Sequence, residues 1–385
     1  MSGASAASTT VTAAAPSKAS TADWKSRPRG EPILEVDNLS VGFSTEDGIV
    51  EAVRGVTYQL MPGEVLGIVG ESGSGKSVSS MALMGLLPRT AKVEGSVRYR
   101  GTELIGLARQ EFNTIRGKKI AMIFQDPMTS LNPVHRIGHQ IAEAVRAHND
   151  LSKREALDRA AEMLDRVGIP NAKERARSYP HEFSGGMRQR AMIAMAMAND
   201  PDIVIADEPT TALDVTVQAQ ILETLVKLKD EFASSVIIIT HDLGVVAGMA
   251  DRVMVMYAGR AVEVGTVDDI YGDPRMPYTL GLIGALPRLD SDGSERLVPI
   301  KGSPPSLINL PPGCPFQPRC PLATDLCNDV EPPLAPAGNS DHLAACHYSS
   351  ELAGDVAAED VFEVTADDAE LAFEVEARAA VEQEP

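Results

Sequence analysis

Apolar residues fall along this chain in short unbroken runs separated by longer amphipathic stretches, and the two alternate from about residue 31 to about 285. Val65 to Val69, Ile203 to Ala206 and Ser235 to Thr240 are apolar at nearly every position. Such runs predict parallel strands covered on both faces. The stretches Val78 to Leu87, Ile137 to Ala147, Ser152 to Val167 and Ser184 to about Ala198 have helical patterning. Alternation of the two kinds predicts an α/β domain with a parallel sheet and crossover helices. The span of about 126–198 is richer in helix than the rest. No apolar run approaches the roughly 18 residues that cross a bilayer; the longest, Ala191 to Ala198, has eight.

Between the first strand and the first helix lies Gly70-Glu71-Ser72-Gly73-Ser74-Gly75-Lys76-Ser77, which fits G-x-x-x-x-G-K-[ST]. Its glycines let backbone N–H groups curl round nucleotide phosphates, and the helix start adds positive potential. Lys76 would bridge the β- and γ-phosphates, and the Ser77 hydroxyl would ligate magnesium. A plain Gly/Ser turn is the alternative. Further on, the run from Ile203 ends in Asp207-Glu208, as a buried strand delivering carboxylates to a phosphate site would. Asp207 would hold the magnesium and Glu208 would orient or deprotonate the attacking water. Phe183-Ser184-Gly185-Gly186-Met187 opens the most Met- and Ala-rich helix and offers a second anion site of bare N–H groups and a hydroxyl.

In this combination the chain resembles an ATP-binding-cassette (ABC) subunit, a P-loop NTPase, and Ser184-Gly185-Gly186 matches the signature loop of that family. Phe183 and Met187 depart from the usual leucine and glutamine, but the hydroxyl and both glycines are kept. The resemblance implies that two cassettes dimerise head to tail, each signature loop closing on ATP held by the partner's phosphate loop. It also assigns Phe43 to adenine stacking, Gln125 to sensing the γ-phosphate and magnesium, Ala212-Leu213-Asp214 to the dimer-contact loop, and His241 to the switch position after the strand ending at Thr240. Taken singly, Phe43 reads as a strand residue, Gln125 as a surface amide and His241 as part of a helix start. Together they follow the family's order. The span 126–198 then resembles the helical subdomain of the family's cassette, with Gln125 at its entrance.

All four cysteines, Cys314, Cys320, Cys327 and Cys346, lie in a Pro-rich stretch after residue 286. Disulfides are disfavoured because a nucleotide-hydrolysing domain belongs in the reducing cytosol. Structural zinc usually shows a closer C-x(2–4)-C pair than these spacings provide. A 4Fe-4S cluster needs four thiolates and tolerates varied loops. Unliganded thiols in a small cap are the remaining reading. Gly302-Ser303-Pro304-Pro305, the Cys314-Pro315-Phe316 and Arg319-Cys320-Pro321 triplets and Pro277-Tyr278-Thr279 are similar to the C-terminal extension of ATPases that drive oligopeptide and dipeptide importers. Met276 departs from that pattern, which usually has histidine.

Composition adds two tails. Residues 1–30 are rich in Ala, Ser and Thr without apolar periodicity, which predicts a disordered N-terminal segment and provides no apolar core for a secretory signal. Residues 351–385 hold twelve acids against one arginine, in a chain whose formal charge is −19. That end is expected to be a solvated tail and to avoid nucleic acid. The expected organisation is therefore a tail (1–30), a cassette (31–285), a small Cys-containing domain (286–349) and an acidic tail (350–385). The resemblance implies an ATPase with ATP and Mg2+, peripheral at the cytoplasmic face of the membrane. Its partners would be a second ATPase chain, two permease subunits and an extracytoplasmic peptide-binding protein. An importer for another solute such as nickel, or a non-transport cassette ATPase, is the alternative.

Overall fold

Both sheets of the protein follow from where its strands are buried. The computed structural model describes residues 30–362 apart from 47, 212, 287–298, 339–340 and 355. Ala212 and most of both expected tails thus lie outside the described residues. The chain falls into two units, Met1–Glu31 and Pro32–Pro385, and only Gly30 and Glu31 of the first are described.

The second unit contains strands β1 (Leu34–Thr45), β2 (Gly48–Leu60), β3 (Val65–Val69), β4 (Ala91–Tyr99), β5 (Thr102–Glu103) and β6 (Ile120–Ile123). It continues with β7 (Ile203–Asp207), β8 (Ser235–Thr240), β9 (Arg252–Tyr257), β10 (Arg260–Thr266), β11 (Ala335–Pro336) and β12 (Leu343–Ala344). An antiparallel sheet has the order β2-β1-β4-β5, and a larger mixed sheet has the order β11-β12-β10-β9-β3-β8-β7-β6. From β9 through β3, β8 and β7 to β6 the larger sheet is parallel.

Every residue of β3, β7 and β8 is buried, as their unbroken apolar runs predict. Successive side chains enter opposite layers, following the period of two along a strand. Val65, Val69, Val204 and Ala206 join the cluster that contains Ile141, Leu164 and Met197, whereas Leu66, Ile68, Ile203 and Ile205 join the one containing Leu83, Val97 and Tyr99. The first cluster unites the parallel sheet with the helices Ile137–Arg146, Lys153–Arg166 and Gly185–Met197. Local chemistry sets their ends. Ser152 starts the second helix through a reciprocal capping box with Glu155, and Ser184 caps the third.

The C-terminal region is built into the sheet rather than set apart from it. β12 pairs with β10 at Glu263↔Ala344 and Val264↔Leu343, and the Ala345 N–H donates to the Val262 carbonyl over 2.8 Å. An edge strand's unpaired backbone groups invite this addition. Beneath it, buried Phe316 packs against Tyr257 and Tyr278, both ring centroids 5.4 Å away, and the two tyrosine rings are 4.6 Å apart. Buried packing also runs past residue 350, where composition suggests a solvated tail: Leu352 and Phe362 are 2% and 5% exposed. The short helix Ala358–Val361 lies against the chain's own helix Pro277–Gly284.

Because Phe316 fills the junction between the cysteine-bearing segment and the sheet, Phe316→Ala is expected to lower stability by about 3–5 kcal/mol. Chemical denaturation of the purified chain checks this; a loss below about 1 kcal/mol would show that the ring does not hold the segment in place.

Candidate functional site

The parallel strands end at a common edge, where β3 delivers Gly70 to Ser77, β7 delivers Asp207 and Glu208, and β8 delivers His241. Gly70 (φ 150°) and Gly75 (φ 97°) bound the loop between β3 and the helix Lys76–Leu83. A Cβ on Gly70 would lie 2.2 Å from the Met256 carbonyl oxygen, and one on Gly75 would lie 2.3 Å from that of Ala52. Only glycine allows the loop to run this close to the neighbouring backbone. Helix Lys76–Leu83 has no acidic residue in its first turn, which leaves its N-terminal potential uncompensated.

Lys76 is 4% exposed and folds over the loop, donating to the carbonyls of Gly70 at 2.6 Å and Glu71 at 2.9 Å. Burial pulls its ammonium below the usual value, opposed by Glu208, Asp207 and Glu71. Ser77 Oγ donates to Asp207 Oδ1 over 2.9 Å. Burial pushes the Asp207 carboxyl up, the Ser77 hydrogen bond opposes this, and the charge of Glu208 adds to it. Desolvated acids beside a hydroxyl fit magnesium, which takes one or two protein carboxylates and completes its shell with water and phosphate oxygens.

Glu208 sits at φ 45°, a conformation that costs a non-glycine residue about 1–3 kcal/mol. Its N–H is held by the Ile239 carbonyl at 2.8 Å. Gln125 Nε2 and Thr211 Oγ1 each donate to Glu208 Oε2 over 2.8 Å, while His241 Nδ1 is 3.6 Å from Oε1. Gln125 and His241 therefore share one carboxylate despite their separation in sequence.

Other expected site residues lie outside this hydrogen-bonded cluster. The Ser184 hydroxyl accepts from Met187 N at 3.3 Å, and Gly185 and Gly186 pack towards Leu213 and Val217. Asp214 caps the helix Val215–Phe232, accepting from Val217 N at 2.8 Å. Phe43 is half-buried on β1 against the core.

Sequence reasoning missed Thr211, and it also missed contacts from the C-terminal region to the phosphate loop. Arg319 makes a two-pronged ion pair with Glu71 at 2.6 and 2.9 Å, and the Glu71 N–H donates to the Tyr278 hydroxyl at 2.8 Å. No local sequence signal could have paired residues so distant. Next to Gln125, an apolar groove of about 550 Å³ is lined by Met84, Leu86, Met122, Phe124, Met192 and Met195 among others.

The four cysteines are free and line one small cavity of about 10 Å³ among Met276, Phe316 and Leu322. That space holds about one water. Burial pushes the Cys320 thiol up to about 12 and Cys346 up to about 11, with Cys314 moved the same way. Among the described residues no group of three or more His, Cys, Asp or Glu side chains is placed to hold a metal ion. The donors expected for a metal centre thus converge, while the cavity as packed has no room for a cluster. Among the described residues, no helix is long and apolar enough to cross a membrane.

A family model described as ABC transporter matches residues 53–211, and one described as oligopeptide/dipeptide transporter, C-terminal region, matches residues 262–327. The oligopeptide transport ATP-binding protein OppD of Salmonella typhimurium is 55% identical over 82% of this chain and 93% of its own length. OppD of Mycobacterium bovis is 56% identical over 86% of this chain; this chain spans about half, 54%, of that relative. A solved dimer of an ATP-binding cassette, bound to ADP and Pi after hydrolysis, matches with a TM-score of 0.55 and 28% identity over 61% of this chain and 98% of its own.

The loop geometry makes Gly75→Ala a sharp test of the phosphate site. Strain of about 1–3 kcal/mol should weaken ATP binding by about fivefold to 150-fold, measured by equilibrium titration of the folded variant. Unchanged affinity would show that the loop relaxes around the added methyl group.

Proposed function

The chain belongs to the ABC transporter ATP-binding family, in the branch that carries the oligopeptide/dipeptide transporter C-terminal region, and from that premise we propose that it is the ATP-hydrolysing subunit of an importer for oligopeptides or dipeptides. The observation that carries the ATPase reading is the gathering of Gln125, Thr211 and His241 round Glu208, beside the Lys76, Ser77 and Asp207 group. Likeness to the oligopeptide transport proteins carries the peptide reading.

In this reading Lys76 leaves the carbonyls of Gly70 and Glu71 for the β- and γ-phosphates. Loop N–H groups and the helix start bind the remaining phosphate oxygens. Ser77 and Asp207, with Gln125, would hold magnesium, which would supply charge neutralisation at the phosphates. Glu208 accepts a proton from the attacking water while His241 orients the γ-phosphate. The adenine lies against Phe43.

Ser184, Gly185 and Gly186 complete the ATP site of a second cassette, and Asp214 lies at the contact between the two. The groove beside Gln125 receives an apolar segment of a permease subunit. Through Gln125, occupancy of the groove would bear on the carboxylate that activates water. The whole assembly, with two permeases and an extracytoplasmic binding protein, places this chain at the cytoplasmic face of the membrane.

For the four cysteines the reading put to the test is a metal centre, a 4Fe-4S cluster in preference to zinc, against a cavity of about 10 Å³ that has no room for one as packed. Support comes from the convergence of four thiols in one apolar pocket. Anaerobic purification followed by iron, sulfide and zinc analysis should find about four irons and four sulfides, lost in Cys320→Ser. Zinc at one equivalent would replace the cluster assignment, and no metal would end it.

Glu208→Gln keeps the shape of the site and removes the base. In the assembled complex it should still bind ATP but turn over about 10²–10⁴-fold more slowly. Near-normal turnover would overturn the role of Glu208.

A further inference from the structure

The cysteine-bearing segment grips the nucleotide side of the cassette at two places. Arg319, immediately before Cys320, is only 4% exposed along its side chain and forms the two-pronged pair with Glu71. The same guanidinium donates to the Tyr257 hydroxyl at 3.3 Å and to the carbonyls of Lys301 at 3.1 Å and Ile300 at 3.4 Å. Glu331, a few residues after Cys327, accepts both guanidinium nitrogens of Arg54 at 2.9 and 3.1 Å and pairs with Arg260 at 2.7 Å. Arg54 belongs to β2, close to Ala52, whose carbonyl faces Gly75.

Glu71 is the second residue of the phosphate loop; its carbonyl accepts from Lys76 and its carboxylate charge acts on the Lys76 ammonium, so it belongs to the same field a triphosphate would enter. Unpaired there, it would repel the phosphates; paired with a buried guanidinium, its charge is cancelled and its direction fixed. Tyr278 holds the same residue by its backbone N–H. Both grips on Glu71 come from beyond β10, outside the cassette's nucleotide-binding motifs.

We infer that Arg319 is a positioning residue for ATP binding, which cancels the Glu71 charge and makes nucleotide affinity depend on how the cysteine-bearing segment is seated. The inference rests on the ATPase reading above. Arg319 acts on the phosphate loop through Glu71.

The test is a pair of variants in the full chain, Arg319→Gln and the double variant Arg319→Gln with Glu71→Gln, titrated with a fluorescent ATP analogue and assayed for turnover in the assembled complex. Arg319→Gln should raise Kd and KM for ATP about tenfold or more, with kcat changed by less than about threefold. Removing the exposed carboxylate in the double variant should recover most of the lost affinity. A structural role alone would lower Tm in both variants without that recovery. Unchanged ATP affinity in Arg319→Gln, or a double variant as weak as the single one, overturns the inference. Should Arg319→Gln fail to fold, Arg319→Lys keeps the charge but loses the fork, and an affinity between those of the parent and a Glu71-exposed loop is expected; parental affinity would overturn the proposal. Lys76→Ala separates the two readings: retained ATP binding there would remove the ATPase site itself, whatever the Arg319 variants do.

Discussion

Registration of three fully buried parallel strands is the constraint on which the rest of this protein depends. Val69 of β3 lies opposite Thr240 of β8, and Asp207 of β7 lies opposite Ile239. The residues that follow each strand must therefore emerge together, since parallel neighbours of equal reach end at one edge. A slip of one residue would turn every side chain to the other layer, and both layers are filled. The apolar cores thus position Gly70, Glu208 and His241 before any polar contact is made. Strain at Glu208, with φ 45°, is sustained because the adjoining strand holds its N–H.

Charges of both signs meet at that edge. Lys76 is desolvated against backbone carbonyls, and burial, with the charge of Glu208 beside it, raises the proton affinity of Asp207. Neither side fully satisfies the other: Lys76 hydrogen-bonds within its own loop, to the Gly70 and Glu71 carbonyls and the Ser74 hydroxyl, while Asp207 takes the Ser77 hydroxyl. On the proposed ATPase reading, a nucleotide with magnesium would satisfy both sides, its phosphate oxygens facing Lys76 and its cation facing Ser77 and Asp207. Belonging to the ABC transporter family gives this arrangement its chemistry; the strand edge gives it its geometry.

Much of this was legible in the sequence because the relevant signals are local. β3 and β8 have the bounds expected from their apolar runs, and the helical patterning from Ser152 to Val167 matches the helix Lys153–Arg166 between its caps. The phosphate loop is a contiguous motif whose glycines meet backbone at the positions that require them. What was not legible depends on contacts that no short window contains. Thr211 reaches Glu208 through a turn rather than a motif, and Arg319 meets Glu71 across 248 positions. β11 and β12 are two residues long each, too short for any period to register, and they are strands only because β10 offers an open edge. Leu352 and Phe362 lie in acid-rich surroundings without apolar periodicity, so composition gives them to a tail while packing gives them to the core.

The seating of the C-terminal region shows how such distant contacts work together. Glu263 of β10 is fully buried and accepts His342 Nε2 at 2.8 Å and Arg275 N at 2.6 Å, tying the chain just before β12 to the cassette. Buried polar pairs of this kind contribute little net stability, because desolvation offsets most of their attraction. They are costly to break one partner at a time, so they select one seat over neighbouring ones. Phe316 and the two tyrosines supply the apolar adhesion that has no such directional demand. Adhesion from the aromatic cluster and direction from Glu263, Glu331 and Arg319 then fix the cysteine loop against the strand edge that carries the phosphate loop. Cys320 adjoins Arg319 along the chain, so the pocket that holds the four thiols and the ion pair to Glu71 share one short stretch of backbone.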